Sequence, residues 1–227
     1  MENRQLDWEG CHNVRDLGGL RTVDGRQTRW EAVVRADDPS NLTPAGWEAL
    51  YAYGIRTIIS LRTAGMQEDE LAIVNRPADL VTIESAIEDL SDVEFARKWA
   101  SSDLWCTPLY YQDALNRWPQ RHAAVVSAIA HAQDGGVLFH CKRGNDRTGI
   151  ITLLLLALVG VGPDEIVDDY QLSPDPDRER LLQEQHTSTR EVILNVLATL
   201  DAQTYLLDAG LSQADLDAVR DRLLEPI

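Results

Sequence analysis

Residues 137–160 constrain the fold more than any other part of the chain. Val137–His140 is a short apolar strand that stops abruptly at Cys141, and a loop then leads to a helix predicted over Thr148–Gly160. The run Ile150–Val161, 12 residues long, carries a single hydroxyl and no charge. It is too short for the ~18–20 residues that span a bilayer, and a helix apolar on every side belongs inside a protein core. A strand without polar alternation is likewise covered on both faces. Such a strand feeding such a helix implies an α/β protein, with a central, largely parallel sheet covered by helices on both faces.

The remaining chain fits that plan. Asp24-Gly25 reads as a hairpin turn between Leu20–Thr22 and Arg29–Arg35. Thr43-Pro44 opens a helix that runs to about Tyr53, closed by Gly54, and Ile55–Leu61 is a β-branched strand. Residues 62–67 read as loop, Glu68–Val74 as a helical turn or two, and Leu80–Ile87 as an alternating strand. Apolar positions at mixed helical spacing fill 92–118, broken at Pro108. Pro119 opens an amphipathic helix ending near Asp134-Gly135-Gly136. Pro163 starts another helix, and two or three more follow Pro174 and Pro176. No repeat or flexible linker divides the 227 residues, so one domain is expected over 1–227. Its parts are an N-terminal hairpin and strand region (10–63), a variable segment and candidate lid (64–136), the loop and core helix (137–171) and C-terminal helices (172–227).

Charge and cysteines narrow the function. The formal charge of −16 argues against nucleic acid or an anionic membrane as partner. Lys98 and Lys142 are the only lysines among 21 basic residues, so the cationic chemistry is mostly guanidinium, which grips carboxylate or phosphate with two prongs. Cys11, Cys106 and Cys141 are too few and too scattered for a disulfide scaffold. Met1–Gly10 contains three acids and no apolar core, unlike a secretory signal. A cytoplasmic protein without stable membrane association is expected, in no predicted oligomeric state.

The chemistry concentrates in His140-Cys141-Lys142-Arg143-Gly144-Asn145-Asp146-Arg147-Thr148-Gly149. Strand ends in open α/β sheets bind ligands. A loop curling into a helix N-terminus aims backbone N–H groups into one concavity, an anion site. Gly144 permits the tight turn. A thiol at the head of that loop feels the same field, which draws its pKa from ~8.5 towards the ~3.5–7.5 range of helix N-termini. Cys141 is therefore the expected nucleophile. Arg147, an arginine misplaced against the helix dipole, can fold back and clamp a tetrahedral anion. Lys142, Arg143, Gly144 and Asn145 are the other expected phosphate-binding residues. The set suits attack on phosphorus, where charge on three equatorial oxygens must be held. Thr148 is placed to donate a hydrogen bond to the sulfur, and His140 to hydrogen-bond around the loop.

The pattern H-C-x-x-G-x-x-R-[S/T]-G arises by chance on the order of once in a million for this composition. It resembles the signature of the Cys-x5-Arg protein tyrosine phosphatases. The tail Asp146-Arg147-Thr148-Gly149 resembles the microbial atypical branch, which carries H-C-x-x-G-K-D-R-T-G. Asn13-Val14-Arg15-Asp16-Leu17-Gly18-Gly19 is similar to that branch's N-x-R-D-x-G-G, and Ile58-Ile59-Ser60-Leu61-Arg62-Thr63 to its strand ending in D-L-R-S. The resemblance covers 10–63 and 137–171 and departs at Ser60 and Asn145. It implies a phosphatase acting on phosphotyrosine, with dual specificity as an extension, through a phosphocysteine and without metal or cofactor. The substrate would be a phosphorylated protein or a small phosphomonoester. Lys142 directly after the cysteine is also a feature of the lipid phosphatases related to tensin, so a phosphoinositide or inositol phosphate phosphatase is the alternative. A non-catalytic phosphoprotein-binding module is a further one, and zinc held by His140-Cys141 and Cys11-His12 lacks any knuckle spacing.

A carboxyl must protonate the leaving group and then activate water. Asp146, which matches an Asp of the branch, is the first choice. Asp113 ranks second, on a spacing similar to that of the movable acid of dual-specificity phosphatases, and Asp37 and Asp38 third. The alternative for Asp146 is a structural carboxylate paired with Arg15 or Arg62. Arg15, Asp16 and Arg62 are expected to form a salt-bridged scaffold around the loop. Trp99, Trp105, Tyr110 and Tyr111 are expected in the core, with a lid as the alternative. Cys11 or Cys106 forming a reversible disulfide with Cys141 is left open.

Overall fold

The computed structural model describes residues 4–62 and 76–226. Strand β1 (Arg15–Asp16) is followed by β2 (Val33–Ala36), helix α1 (Pro44–Ala52), β3 (Ile55–Ser60) and β4 (Val81–Glu84). A short helix α2 (Val93–Phe95) runs into a π turn over Ala96–Ala100, two 3-10 turns (Asp103–Cys106 and Pro108–Tyr110), α3 (Tyr111–Arg117) and α4 (Pro119–Ala130). Then come β5 (Gly136–His140), α5 (Asp146–Leu158), α6 (Pro163–Gln171), α7 (Arg178–Glu184), α8 (Thr189–Thr199), α9 (Ala202–Asp208) and α10 (Gln213–Leu223).

The sheet order is β1-β2-β5-β3-β4, with β1 antiparallel to β2 and every other pair parallel. Strand β5 is central and its five residues are buried. Alternate side chains of the central strands enter two cores. Val33, Ile59, Val137 and Phe139 pack with α4, α5 and the C-terminal helices. Val34, Ile58 and Leu138 pack on the other face with Trp47 and Leu50 of α1. The mostly parallel, two-faced α/β architecture is thus the one the apolar run implied. Thr43 caps α1, its hydroxyl accepting from the Gly46 N–H at 3.2 Å.

Several boundaries differ from the sequence reading. The Asp24-Gly25 turn exists, with Gly25 at φ 89°, but it closes a single bridge, Arg21↔Gln27, and no ladder. The arms bond across the turn, Thr22 N–H to Arg26 O at 3.0 Å and Thr28 N–H to Leu20 O at 2.9 Å, but other amides go to distant partners: Val23 N–H to Gly160 O at 2.8 Å and Arg29 N–H to Leu223 O at 2.7 Å. The strand expected over Arg29–Arg35 is therefore Val33–Ala36. Strand β4 is a mostly exposed edge, shorter than Leu80–Ile87. Helix α5 starts at Asp146, not Thr148, because Asn145 occupies the cap position. Four helices, not two or three, follow Pro174 and Pro176. The helical turn expected over Glu68–Val74 lies outside the described residues. Among the described residues no helix is long and apolar enough to cross a membrane.

Candidate active site

Parallel register brings three strand ends to one edge. His140 pairs with Ala36 of β2 and with Ser60 of β3. The chain leaving each strand therefore emerges at the same place: Asp37 and Asp38, Leu61 and Arg62, and Cys141. The Cys141–Arg147 loop rises there into α5. Gly144 adopts φ +70°, and a Cβ on it would lie 2.8 Å from the Ala36 carbonyl carbon and oxygen. Only glycine fits this close approach in a left-handed conformation.

Cys141, Asp146 and Arg147 line a cleft of about 170 Å³ together with Lys142, Arg143, Trp105, Cys106 and Tyr110. Cys141 is only 3 % exposed, and that exposure is to the cleft. The Arg147 Nη1 is buried and has no hydrogen-bond partner among the described residues. An orphaned buried donor costs ~1–3 kcal/mol, which an anion in the cleft would relieve. The Arg147 Nε lies 3.8 Å from Glu88. Burial opposes the guanidinium charge, but Cys141 and Glu88 hold its pKa above the ordinary value.

Asp146 is buried at the start of α5 and accepts a hydrogen bond from the Tyr170 hydroxyl at 2.8 Å. Burial pushes its carboxyl up to about 6, against the lowering effect of Tyr170 and Arg143. It pairs with neither Arg15 nor Arg62. The other acid candidates are committed elsewhere. Asp113 binds Trp99 Nε1 at 2.7 Å, Arg117 at 2.8 Å and Lys98 at 3.3 Å. Asp37 accepts the His12 and Asn13 N–H groups, and Asp38 pairs with Arg62 at 2.6 Å.

The supporting residues divide. Arg62 and Arg15 do form salt bridges, Arg15 to Asp169 at 3.4 Å. Asp16 does not join them. It turns to the opposite end of the sheet, accepting from Gly18 N–H, Glu31 N–H and the Tyr53 hydroxyl. Successive β1 residues point to opposite sides, so Arg15 and Asp16 cannot share one site. The Asn145 side chain ties the loop to its surroundings: it accepts from Asn13 Nδ2 at 2.8 Å and donates to Pro174 O at 2.9 Å. Thr148 Oγ1 is fully buried and makes no hydrogen bond among the described residues, so the expected bond to sulfur is not formed. His140 Nδ1 lies 3.2 Å from Cys141 O, and burial lowers its pKa to about 4, leaving it neutral.

Tyr111 is fully buried core, whereas Tyr110, equally buried, forms a wall of the cleft with Trp105 and Cys106. Cys106 thus shares the cleft with Cys141. Cys11 sits in the other core, its thiol pushed up by burial and 3.5 Å from Asp38 O. All three thiols are free. Among the described residues no group of three or more His, Cys, Asp or Glu could hold a metal ion.

A model of the tyrosine phosphatase family matches residues 6–225. The chain belongs to the tyrosine phosphatase family. A protein of Cupriavidus necator, named as a tyrosine-protein phosphatase, is 29 % identical over 96 % of this chain and 84 % of its own. A tyrosine-protein phosphatase of Nostoc commune is 36 % identical over 63 % of this chain and 48 % of its own. The solved structure of P. aeruginosa TpbA is 16 % identical, with a TM-score of 0.45, and covers 79 % of this chain and 86 % of its own.

This phosphatase carries site residues that the loop signature does not reveal. Glu88 is fully buried beside Arg147, and burial pushes its carboxyl up while Arg147 opposes. Asn13 donates to Arg143 O at 2.9 Å, and Arg35 donates to Gly144 O at 2.7 Å. Asp169 and Tyr170 of α6 carry the partners of Arg35 and Asp146. A signal existed for Arg35: a charge inside a strand covered on both faces needs a buried partner.

Proposed function

We propose that this phosphatase hydrolyses phosphomonoesters, phosphotyrosine foremost, through a phosphocysteine, and that residues 1–227 act as one catalytic unit. The carrying observation is that a thiol, an unsatisfied guanidinium donor and a carboxyl with a pKa near 6 line one cleft. Cys141 Sγ attacks phosphorus. The Arg147 guanidinium and the loop amides hold the three equatorial oxygens as charge shifts onto them. Protonated Asp146 gives its proton to the departing phenoxide. In the second step the Asp146 carboxylate takes a proton from water as it attacks the phosphocysteine, releasing phosphate and restoring the thiolate. Lys142 and Arg143 at the rim favour a dianionic phosphate despite the net charge of −16. The aromatic wall of Trp105 and Tyr110 suits an aryl ester.

The test is phosphate release from an aryl phosphate and from a panel of phosphopeptides, phosphoinositides and inositol phosphates. Cys141→Ser and Arg147→Ala are each expected to abolish turnover. Near-wild-type activity of Cys141→Ser would overturn the mechanism. Preference for a phosphoinositide over every phosphopeptide would overturn the substrate class alone.

A further inference from the structure

The carbonyls of the phosphate loop are held from outside. Cys141 O faces His140 Nδ1 at 3.2 Å, and Lys142 O accepts the Asp38 N–H at 3.3 Å. Arg143 O accepts from Asn13 Nδ2 at 2.9 Å, and Gly144 O from Arg35 Nη2 at 2.7 Å. In a planar trans peptide the N–H points opposite to the C=O. Each anchored carbonyl therefore turns the next amide, from Lys142 to Asn145, away from its anchor.

The last anchor differs from the others in being a buried cation. Arg35 is fully buried in β2, where a lone charge is expensive. Its Nη1 rests on Asp169 Oδ2 at 2.6 Å, and its Nη2 also reaches Ser173 Oγ at 3.1 Å. Arg4 at 2.8 Å and Arg15 at 3.4 Å converge on the same Asp169. Three guanidiniums thus share one carboxylate, leaving excess positive charge next to the loop. A purely structural ion pair would need one arginine and no contact with Gly144.

We propose that Arg35 is a positioning residue for phosphoryl transfer. It fixes the Gly144 carbonyl outward and so presents the Asn145 amide to the transferring phosphoryl group, while the Arg4–Arg15–Arg35 cluster adds field at that anion. The inference rests on the phosphatase reading, and its test separates the two.

The experiment follows loop amides by NMR in the full-length protein during titration with inorganic phosphate, alongside kcat, KM and phosphate inhibition for an aryl phosphate. In the wild type the amides of Arg143, Gly144 and Asn145 all respond. In Arg35→Lys the Asn145 response is lost while that of Gly144, set by Asn13, persists. Phosphate inhibition weakens about 10-fold and kcat falls about 10²-fold, the order seen when one oxyanion donor is removed. A folded Arg35→Lys with wild-type kcat and phosphate inhibition overturns the proposal. If Arg35 variants do not fold, the wild type still decides: a silent Asn145 amide beside responsive Arg143 and Gly144 overturns it. Absence of phosphate response at every loop amide would instead sink the phosphatase reading.

Discussion

Tyr170 and Asp146 form the hydrogen bond that matters most for proton transfer. Asp146 must be protonated to act in the first step, and its pKa near 6 means that this form is lost as pH rises through 6. Tyr170 lowers that pKa, so Tyr170→Phe is expected to move the alkaline limb of kcat/KM upward by about one pH unit. An unmoved limb would show that the bond does not tune the acid. Asp146→Asn should cost ~10²–10⁴-fold on phosphotyrosine and far less on an aryl phosphate with a good leaving group. Equal, small losses would remove Asp146 from the role. The same carboxyl has a stability signature. Its folded pKa lies above its unfolded one, so its contribution is full below pH ~4 and lost as pH rises through about 6. Thermal melts of Asp146→Asn should therefore fall less between pH 4 and 7 than those of the wild type. At Gly144, alanine would meet the Ala36 backbone at 2.8 Å with φ +70°. Gly144→Ala is expected to cost ~1–3 kcal/mol of stability and to weaken phosphate binding, read by denaturant titration and phosphate inhibition.

At the scale of elements, stability and catalysis separate. Helix α1 lies on the face away from α5, and its Thr43 cap touches no residue of the cleft. Thr43→Ala should cost ~1 kcal/mol in chemical denaturation and leave kcat/KM unchanged. A loss of activity at unchanged stability would mean that α1 communicates with the loop. Helix α5 was legible because its apolar side chains allow no other placement. Its first turn was not, because Asp146 and Arg147 read equally well as loop residues. Helix α6 illustrates the opposite case. Its acids look like a solvated face, yet Asp169 is fully buried beneath three arginines and Tyr170 holds the acid. Spacing within α6 does not show this, since every partner lies on another element. The turn at Asp24-Gly25 is there, but its second arm does not pair through Arg35 for the same reason: a local turn signal does not reveal that the Val23 and Arg29 amides bond beyond the end of α5 and at the end of α10.

Over the whole molecule, a net charge of −16 surrounds a basic cleft mouth formed by Lys142 and Arg143. Phosphopeptides flanked by basic residues should be turned over faster than acid-flanked ones at low salt, with the gap narrowing at about 0.5 M salt as the field is screened. A salt-independent gap would place the selectivity in direct contacts instead. The sequence by itself determined the layered α/β plan, the position of the loop between a buried strand and a buried helix, and the pairing of Cys141 with Arg147, because these follow from apolar pattern and from residues five or six apart. The tertiary structure alone decided which carboxylate faces the cleft. Asp37 and Asp38 are bound at the strand ends, Asp113 is held by Trp99, Lys98 and, on its own helix, Arg117, and Asp146, held by Tyr170, lines the cleft with a raised pKa. It also brought Glu88, Arg35 and Asp169 to the loop. Burial and long-range hydrogen bonds set the protonation and reach of such groups, and both depend on which strand ends meet at one edge of the sheet.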